Sequence, residues 1–264
     1  MANTLYKNDL PDGLDLGPVV AIDCETMGLN PHRDRLCLVQ LSGGDGNAHL
    51  VQITQDQTDA PNLKRLLADP GVLKLFHFGR FDIAVMYHRF GVLASPVWCT
   101  KIASKLVRTY TDRHGLKYLL AEMLNVDISK MQQSSDWGAD EITPAQKDYA
   151  ASDVLHLHRL KDALESMLRR EGRMETAQAC FDFLPHRAAL DLAGWPEVDI
   201  FAHCHEHDGP APATDAIFPH GRHPEGGAAP DGAGSAVAGL SDCPHHRPPP
   251  GDHHRRDRCR GSRP

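Results

Sequence analysis

The chain has 264 residues, 41% of them hydrophobic, and a formal net charge of −7. This suits one domain, or one domain plus an extension, with apolar content for a sizeable core, and it excludes a protein that holds nucleic acid by bulk positive charge. The seven cysteines are scattered without a Cys-x-x-Cys pair, which fits neither a disulfide framework nor a zinc ribbon and points to reduced thiols.

The stretch from Met1 to Asp12 is polar and lacks the apolar run of a signal peptide. No segment reaches the ~20 apolar residues of a membrane span. The expected location is therefore cytoplasmic, without a membrane partner. Leu5–Lys7 reads as a short edge strand. Val19–Thr26, Leu36–Leu41 and His49–Ile53 read as three strands separated by runs dense in turn formers, an antiparallel meander. A helix is expected at Asn62–Leu67, stopped by Asp69-Pro70-Gly71, and another strand at Val72–Phe78. Beyond it the apolar period changes from two to about 3.6. Phe81, Val85, Met86 and Phe90 mark one helix; Ile102, Leu106 and Val107 a second; Leu116, Leu119, Leu120, Met123 and Leu124 a third. Thr143-Pro144-Ala145-Gln146 is a capping box with Pro at the first helical position, opening a helix expected to run through Leu168. The segment Met174–Leu190 carries Pro185 and is expected to bend or break there. From residue 204 the chain is rich in Gly, Pro, Ala and His without apolar period, so residues 1–203 are read as the domain and 204–264 as a disordered, low-complexity tail.

Chemistry enters at Asp23-Cys24-Glu25. Side chains alternate along a strand, so Asp23 and Glu25 share a face, where two carboxylates repel unless a cation lies between them. Hard ions such as Mg²⁺ or Mn²⁺ choose such oxygen-only donors. An isolated pair of this kind is more often a solvated strand end. Two further acids join it. Asp82 follows the Val72–Phe78 strand, and Asp153 lies four residues after Tyr149, on the same face of the capped helix.

Asp23-x-Glu25, then Asp82, then Tyr149-x-x-x-Asp153 resembles the three motifs of the DEDD exonuclease superfamily in its Tyr-containing branch. The text around Thr100-Lys101-Ile102-Ala103, Asp112–Lys117, Gln132–Trp137 and Tyr149–Val154 is similar to ribonuclease D, over roughly residues 1 to 203. The resemblance implies an α/β, ribonuclease H-like fold with a mixed five-stranded sheet flanked by helices. It implies a 3′-5′ exoribonuclease that releases nucleoside 5′-monophosphates by two-metal-ion phosphodiester hydrolysis, with the ions about 4 Å apart. Asp23 is then the bridging ligand, and Glu25 and Asp153 complete the site of the attacking water. Asp82 serves the second ion, and Tyr149 orients the water. Two divalent cations, Mg²⁺ or Mn²⁺, are the implied cofactors, and RNA 3′ ends the implied partners, such as tRNA precursors or other structured RNA.

The resemblance also places Thr26 and Met27 against the terminal nucleotide, Met27 as an apolar wedge with its backbone N–H as a donor; ordinary core packing of Met27 is an equal reading. His77 either meets substrate at the strand end or bonds within the core. Lys101, Lys105, Arg108, Arg113, Lys117 and Lys130 are candidates for phosphate contacts or for a solvated helix face. Trp137 could stack on a base or anchor the core. Many DEDD enzymes carry Asn in the second motif, where this chain has His77-Phe78-Gly79. The chain looks like the short, single-domain ribonuclease D forms. Its His-rich tail reads as a foreign, read-through or frameshifted extension, or as a Zn²⁺ or Ni²⁺ binder. The same motifs leave open a DNA-directed 3′-5′ exonuclease and a non-catalytic RNA-binding protein.

Overall fold

The computed structural model describes residues 2–202, apart from residues 58 and 130. The strands are β1 (Asn3–Lys7), β2 (Val19–Thr26), β3 (Leu36–Ser42), β4 (Ala48–Gln52), β5 (Leu73–Phe76) and β6 (Val97–Cys99). They form one sheet in the order β1-β4-β3-β2-β5-β6. β2, β3 and β4 pair antiparallel, as short loops between them permit. β1 pairs parallel with β4, β5 with β2 and β6 with β5, so β3 alone runs against the other five. The architecture is the expected mixed sheet with flanking helices, but it has six strands rather than five. The sixth is β6, whose three residues are too few to show an alternation and are all buried.

Among the described residues, seven helices surround the sheet: α1 (Pro61–Ala68), α2 (Arg80–Phe90), α3 (Thr100–Val107), α4 (Leu116–Leu124), α5 (Pro144–Leu155), α6 (Leu157–Arg170) and α7 (Met174–Leu192). α2 is preceded by Gly79, where a Cβ would lie 2.6 Å from that of Phe76, and followed by Gly91 at φ 69°, a left-handed cap that favours glycine. The capping box forms as read: the Thr143 side chain accepts from the Gln146 N–H, and the Gln146 side chain accepts from the Thr143 N–H.

One helical expectation is corrected, and of the bend or break expected at Pro185 the break is absent. The segment from Thr143 to Leu168 is two helices that meet at His156, because α5 packs on β2, β3 and β4 whereas α6 packs on α3 and α4. A straight rod cannot serve both surfaces. α7, in contrast, continues through Pro185 without a break. The N–H that proline lacks is offset by burial of Phe181, Leu184, Pro185 and Ala188 on one side of that helix.

The core gathers on β3, where all seven residues are buried, and on the faces of α2, α5 and α6. Gln40 and Ser42 are the polar members of that strand. The sheet order brings β2, with Asp23 and Glu25, beside β5, whose end leads to His77 and Asp82, while α5 lies across β2. Among the described residues no helix is long and apolar enough to cross a membrane. The expected boundary at residue 203, the 204–264 tail and its His and Cys clusters, and Lys130 lie outside the described residues.

Candidate metal centre

Three of the four acids come together. One carboxylate oxygen each from Asp23, Glu25 and Asp153 lies within 4.8 Å of the others. Asp23 and Glu25 reach this point from one face of β2, and Asp153 from α5. Asp82, in the first turn of α2, stands outside this compact trio and is buried. It is near enough that its charge is the largest of those raising the Asp23 pKa.

The electrostatics are those of anions confined together. Burial pushes the Asp23 carboxyl well above the usual range, followed by the charges of Asp82, Asp153 and Glu25. Burial, then Asp153 and Asp82, pushes Glu25 up to about 9. Burial lifts Asp82 to about 7, although backbone N–H groups of Asp82 itself and of Cys24 bond to its carboxyl and oppose the rise. The Cys24 thiol also donates to Asp82, so the residue between Asp23 and Glu25 touches the second motif. Burial raises the Tyr149 phenol above its normal value, and the Asp153, Glu25 and Asp23 charges raise it further; its hydroxyl donates to Asp153. Such a cluster is costly to ionise in isolation and is suited to divalent cations. The donor set is oxygen only, which matches Mg²⁺ or Mn²⁺ and disfavours soft metals.

Asp23, Glu25 and Asp153 open into a cleft of about 280 Å³, lined also by His77, Phe78, Lys101, Leu116, Lys117 and Gln133. The Lys101 ammonium sits 3.7 Å over the Phe78 ring, and Phe78 holds φ 66°. A left-handed backbone is uncommon for a bulky residue and presents this ring at the cleft, 47% exposed. The His77 Nδ1 lies 2.8 Å from the Thr100 hydroxyl, and the residue lines the cleft.

The residues after the first motif fit less well. The Thr26 hydroxyl donates to the Gly28 carbonyl at 2.5 Å. The Met27 N–H donates to the Arg35 carbonyl at 3.1 Å, so it is not a spare donor for substrate. The Met27 side chain is half-exposed, against Gly138, rather than packed in the core. Of the candidate phosphate ligands, Lys101 and Lys117 line the cleft, whereas Lys105 and Arg113 are exposed and form no part of its walls. Arg108 is fully buried, bonded to Glu122 at 2.5 Å and to the Arg113 carbonyl at 2.7 Å, and is structural. Trp137 is buried with its ring 6.0 Å from that of Tyr149, which leaves no face for a base and makes it a support for that tyrosine.

Gln40 escaped the sequence reading. It is fully buried, and its amide nitrogen lies 3.3 Å from an Asp23 oxygen and 3.5 Å from a Glu25 oxygen. A glutamine inside the apolar run Leu36–Leu41 is the only signal that marked it.

Residues 8–169 match the family model described as 3′-5′ exonuclease. A solved structure of NrnC from Brucella melitensis, with bound Mg²⁺, is 59% identical with a TM-score of 0.73, covering 76% of this chain and 98% of that one. RNase D from Escherichia coli, described as an exoribonuclease involved in structured RNA processing, is 27% identical with a TM-score of 0.58, over 68% of this chain and 48% of that one. Ribonuclease D from Granulibacter bethesdensis is 36% identical over 157 residues, which is 60% of this chain and 39% of that protein. The chain thus spans about two fifths of the length of that ribonuclease D relative.

Proposed function

The chain belongs to the 3′-5′ exonuclease family, and from that premise we propose that it removes nucleoside 5′-monophosphates from the 3′ ends of RNA by metal-dependent phosphodiester hydrolysis. The observation that carries this reading is the oxygen trio of Asp23, Glu25 and Asp153, open to a cleft that Lys101 and Lys117 also line. NrnC bound to pGG, 60% identical to this chain, supports a short 5′-phosphorylated RNA as substrate; the RNase D relatives support structured RNA such as a tRNA precursor.

Asp23, Glu25 and Asp153 would hold the cations, with Asp82 beside them. Divalent cations bound there supply a water activated at neutral pH and neutralise charge on the leaving oxygen. The other contributions belong to the chain. Water attacks the terminal phosphorus, the bond from phosphorus to the 3′ oxygen breaks, and that oxygen takes a proton as the shortened RNA leaves. The phenol of Tyr149, kept protonated by its surroundings, is a hydrogen-bond donor and acceptor that positions the water and does not serve as a base at neutral pH. Lys101 and Lys117 contribute positive charge where phosphates enter. Phe78 offers an aromatic face at the same mouth.

The test is one digestion series on 3′-labelled pGG, a longer single-stranded RNA, a tRNA precursor and a matched DNA, with Mg²⁺, Mn²⁺ or chelator. Metal-dependent release of 5′-monophosphates from RNA ends is the expected result. Faster release from DNA would favour the DNA-directed reading, and RNA binding without release would favour the non-catalytic one.

A further inference from the structure

Gln40 sits on β3 directly opposite Asp23 on β2, so the two side chains share a face of the sheet, and Glu25 is its diagonal neighbour. Its amide nitrogen contacts both carboxylates, at 3.3 and 3.5 Å. Its amide oxygen is buried with no hydrogen-bond partner. Turning the amide over would set its oxygen against two anions, so the carboxylates dictate the orientation, and the stranded oxygen is the consequence. A fully buried strand position flanked by Val39 and Leu41 would take a methionine or leucine without loss to packing, whereas an unsatisfied buried amide oxygen is unfavourable. The fold alone gives no reason for a glutamine there. The acids do.

We infer that Gln40 is a positioning residue, whose side-chain amide spans Asp23 and Glu25 from behind and holds the two carboxylates in one arrangement ready for divalent cations. The inference rests on the metal-dependent reading of the same site. Its physical basis is that a partner in the layer behind a ligand fixes the ligand's rotamer, and that loss of such a partner typically lowers metal affinity or activity about 10- to 100-fold. A neutral donor is the suitable type. A lysine in this place would neutralise the acids and compete with the cations, and a carboxylate would add to their repulsion.

The experiment is Q40M and Q40N beside the unaltered chain, each followed by Mg²⁺ titration in a calorimeter and by the Mg²⁺ concentration that gives the half-maximal rise in Tm. Methionine keeps the volume and removes the donor; asparagine keeps the amide and draws it back from both carboxylates. Both variants are expected to keep their Tm in chelator within a few degrees and to need about tenfold more Mg²⁺, with kcat at saturating Mg²⁺ recovering most of its value. Unchanged Mg²⁺ dependence in either folded variant overturns the inference, and so does failure of both to fold, which would assign Gln40 to the core. If the unaltered chain itself takes up no Mg²⁺, the metal-dependent reading fails instead, which separates the two outcomes.

Discussion

The Tyr149 hydroxyl donates a hydrogen bond to the carboxylate of Asp153, one helical turn further along α5. The two side chains therefore come to the acid cluster as a unit, aimed by the Thr143–Gln146 capping box at the start of the helix and backed by Trp137. Tyr149→Phe removes the hydroxyl and keeps the ring. Turnover is expected to fall about 10- to 100-fold through poorer placement of the water, with Mg²⁺ binding and Tm nearly unchanged. Single-turnover hydrolysis of labelled RNA reads the first quantity, and a loss of Mg²⁺ binding of similar size would move Tyr149 from positioning the water to building the metal site.

Asp23 is pressed by burial and by the charges of three other carboxylates. Asp23→Asn deletes one charge from that set. In chelator at pH 8 the variant should melt a few degrees above the unaltered chain, because repulsion is relieved. Mg²⁺ should no longer raise its Tm, and turnover should fall by about 1,000-fold. Thermal melts with and without Mg²⁺, paired with the digestion assay, decide this; retained turnover would remove Asp23 from the proposed site.

The raised carboxyl pKa values carry a pH dependence with a definite sign. Unfolded, Glu25 and Asp82 release their protons near the ordinary carboxylate values; folded, they hold them up to about 9 and about 7. Between these limits the folded state binds more protons, so the contribution of these groups to stability is present at low pH and is lost as pH rises through the folded values. Metal-free protein should thus lose Tm between pH 6 and pH 9. Mg²⁺ should restore more of it at pH 9 than at pH 6, since deprotonated ligands bind the cation better. A metal-free Tm that climbs over this range would contradict the arrangement of acids.

Arg108 and Lys101 belong to the same basic run of sequence and should behave oppositely. Arg108 is buried and bonded to Glu122, to the Arg113 carbonyl and to the Ser104 hydroxyl. Glu122 is half-exposed, so the loss on Arg108→Met is expected at about 2 kcal/mol, below that of a fully buried pair. Denaturant unfolding measures it. Lys101→Ala should leave stability within about 0.5 kcal/mol. It should raise KM for RNA and lower the slope of log affinity against log salt by about 1.

All the buried apolar residues assigned to the core lie between Leu10 and Ala188, among the described residues. A chain that stops after residue 203 is therefore proposed to keep the Tm and the exonuclease activity of the full chain. Comparative melts and digestion by the two forms would show it, and a drop of more than about 5 °C, roughly 1.3 to 2.5 kcal/mol for a domain of this size, would give the later residues a part in the fold.

Much of this protein could be read from its sequence, and the physical reason is local. The alternation in Val19–Thr26 put Asp23 and Glu25 on one face, the 3.6 period put Tyr149 and Asp153 on another, and the Thr143–Gln146 cap is a contact between neighbours in the chain. Periodicity and capping act over a few residues, so they survive without a tertiary structure. What failed was decided at longer range. The three-residue β6 exists because β5 lies beside it, and Pro185 stays helical because its helix is packed. The division at His156 follows from the two surfaces that α5 and α6 must cover. The Met27 N–H is claimed by Arg35 across the hairpin, and Arg108 is turned inward by Glu122. Gln40 is the clearest case. Only the register between β2 and β3, set by the whole buried sheet, brings its amide behind Asp23 and Glu25, and no spacing along the chain carries that information.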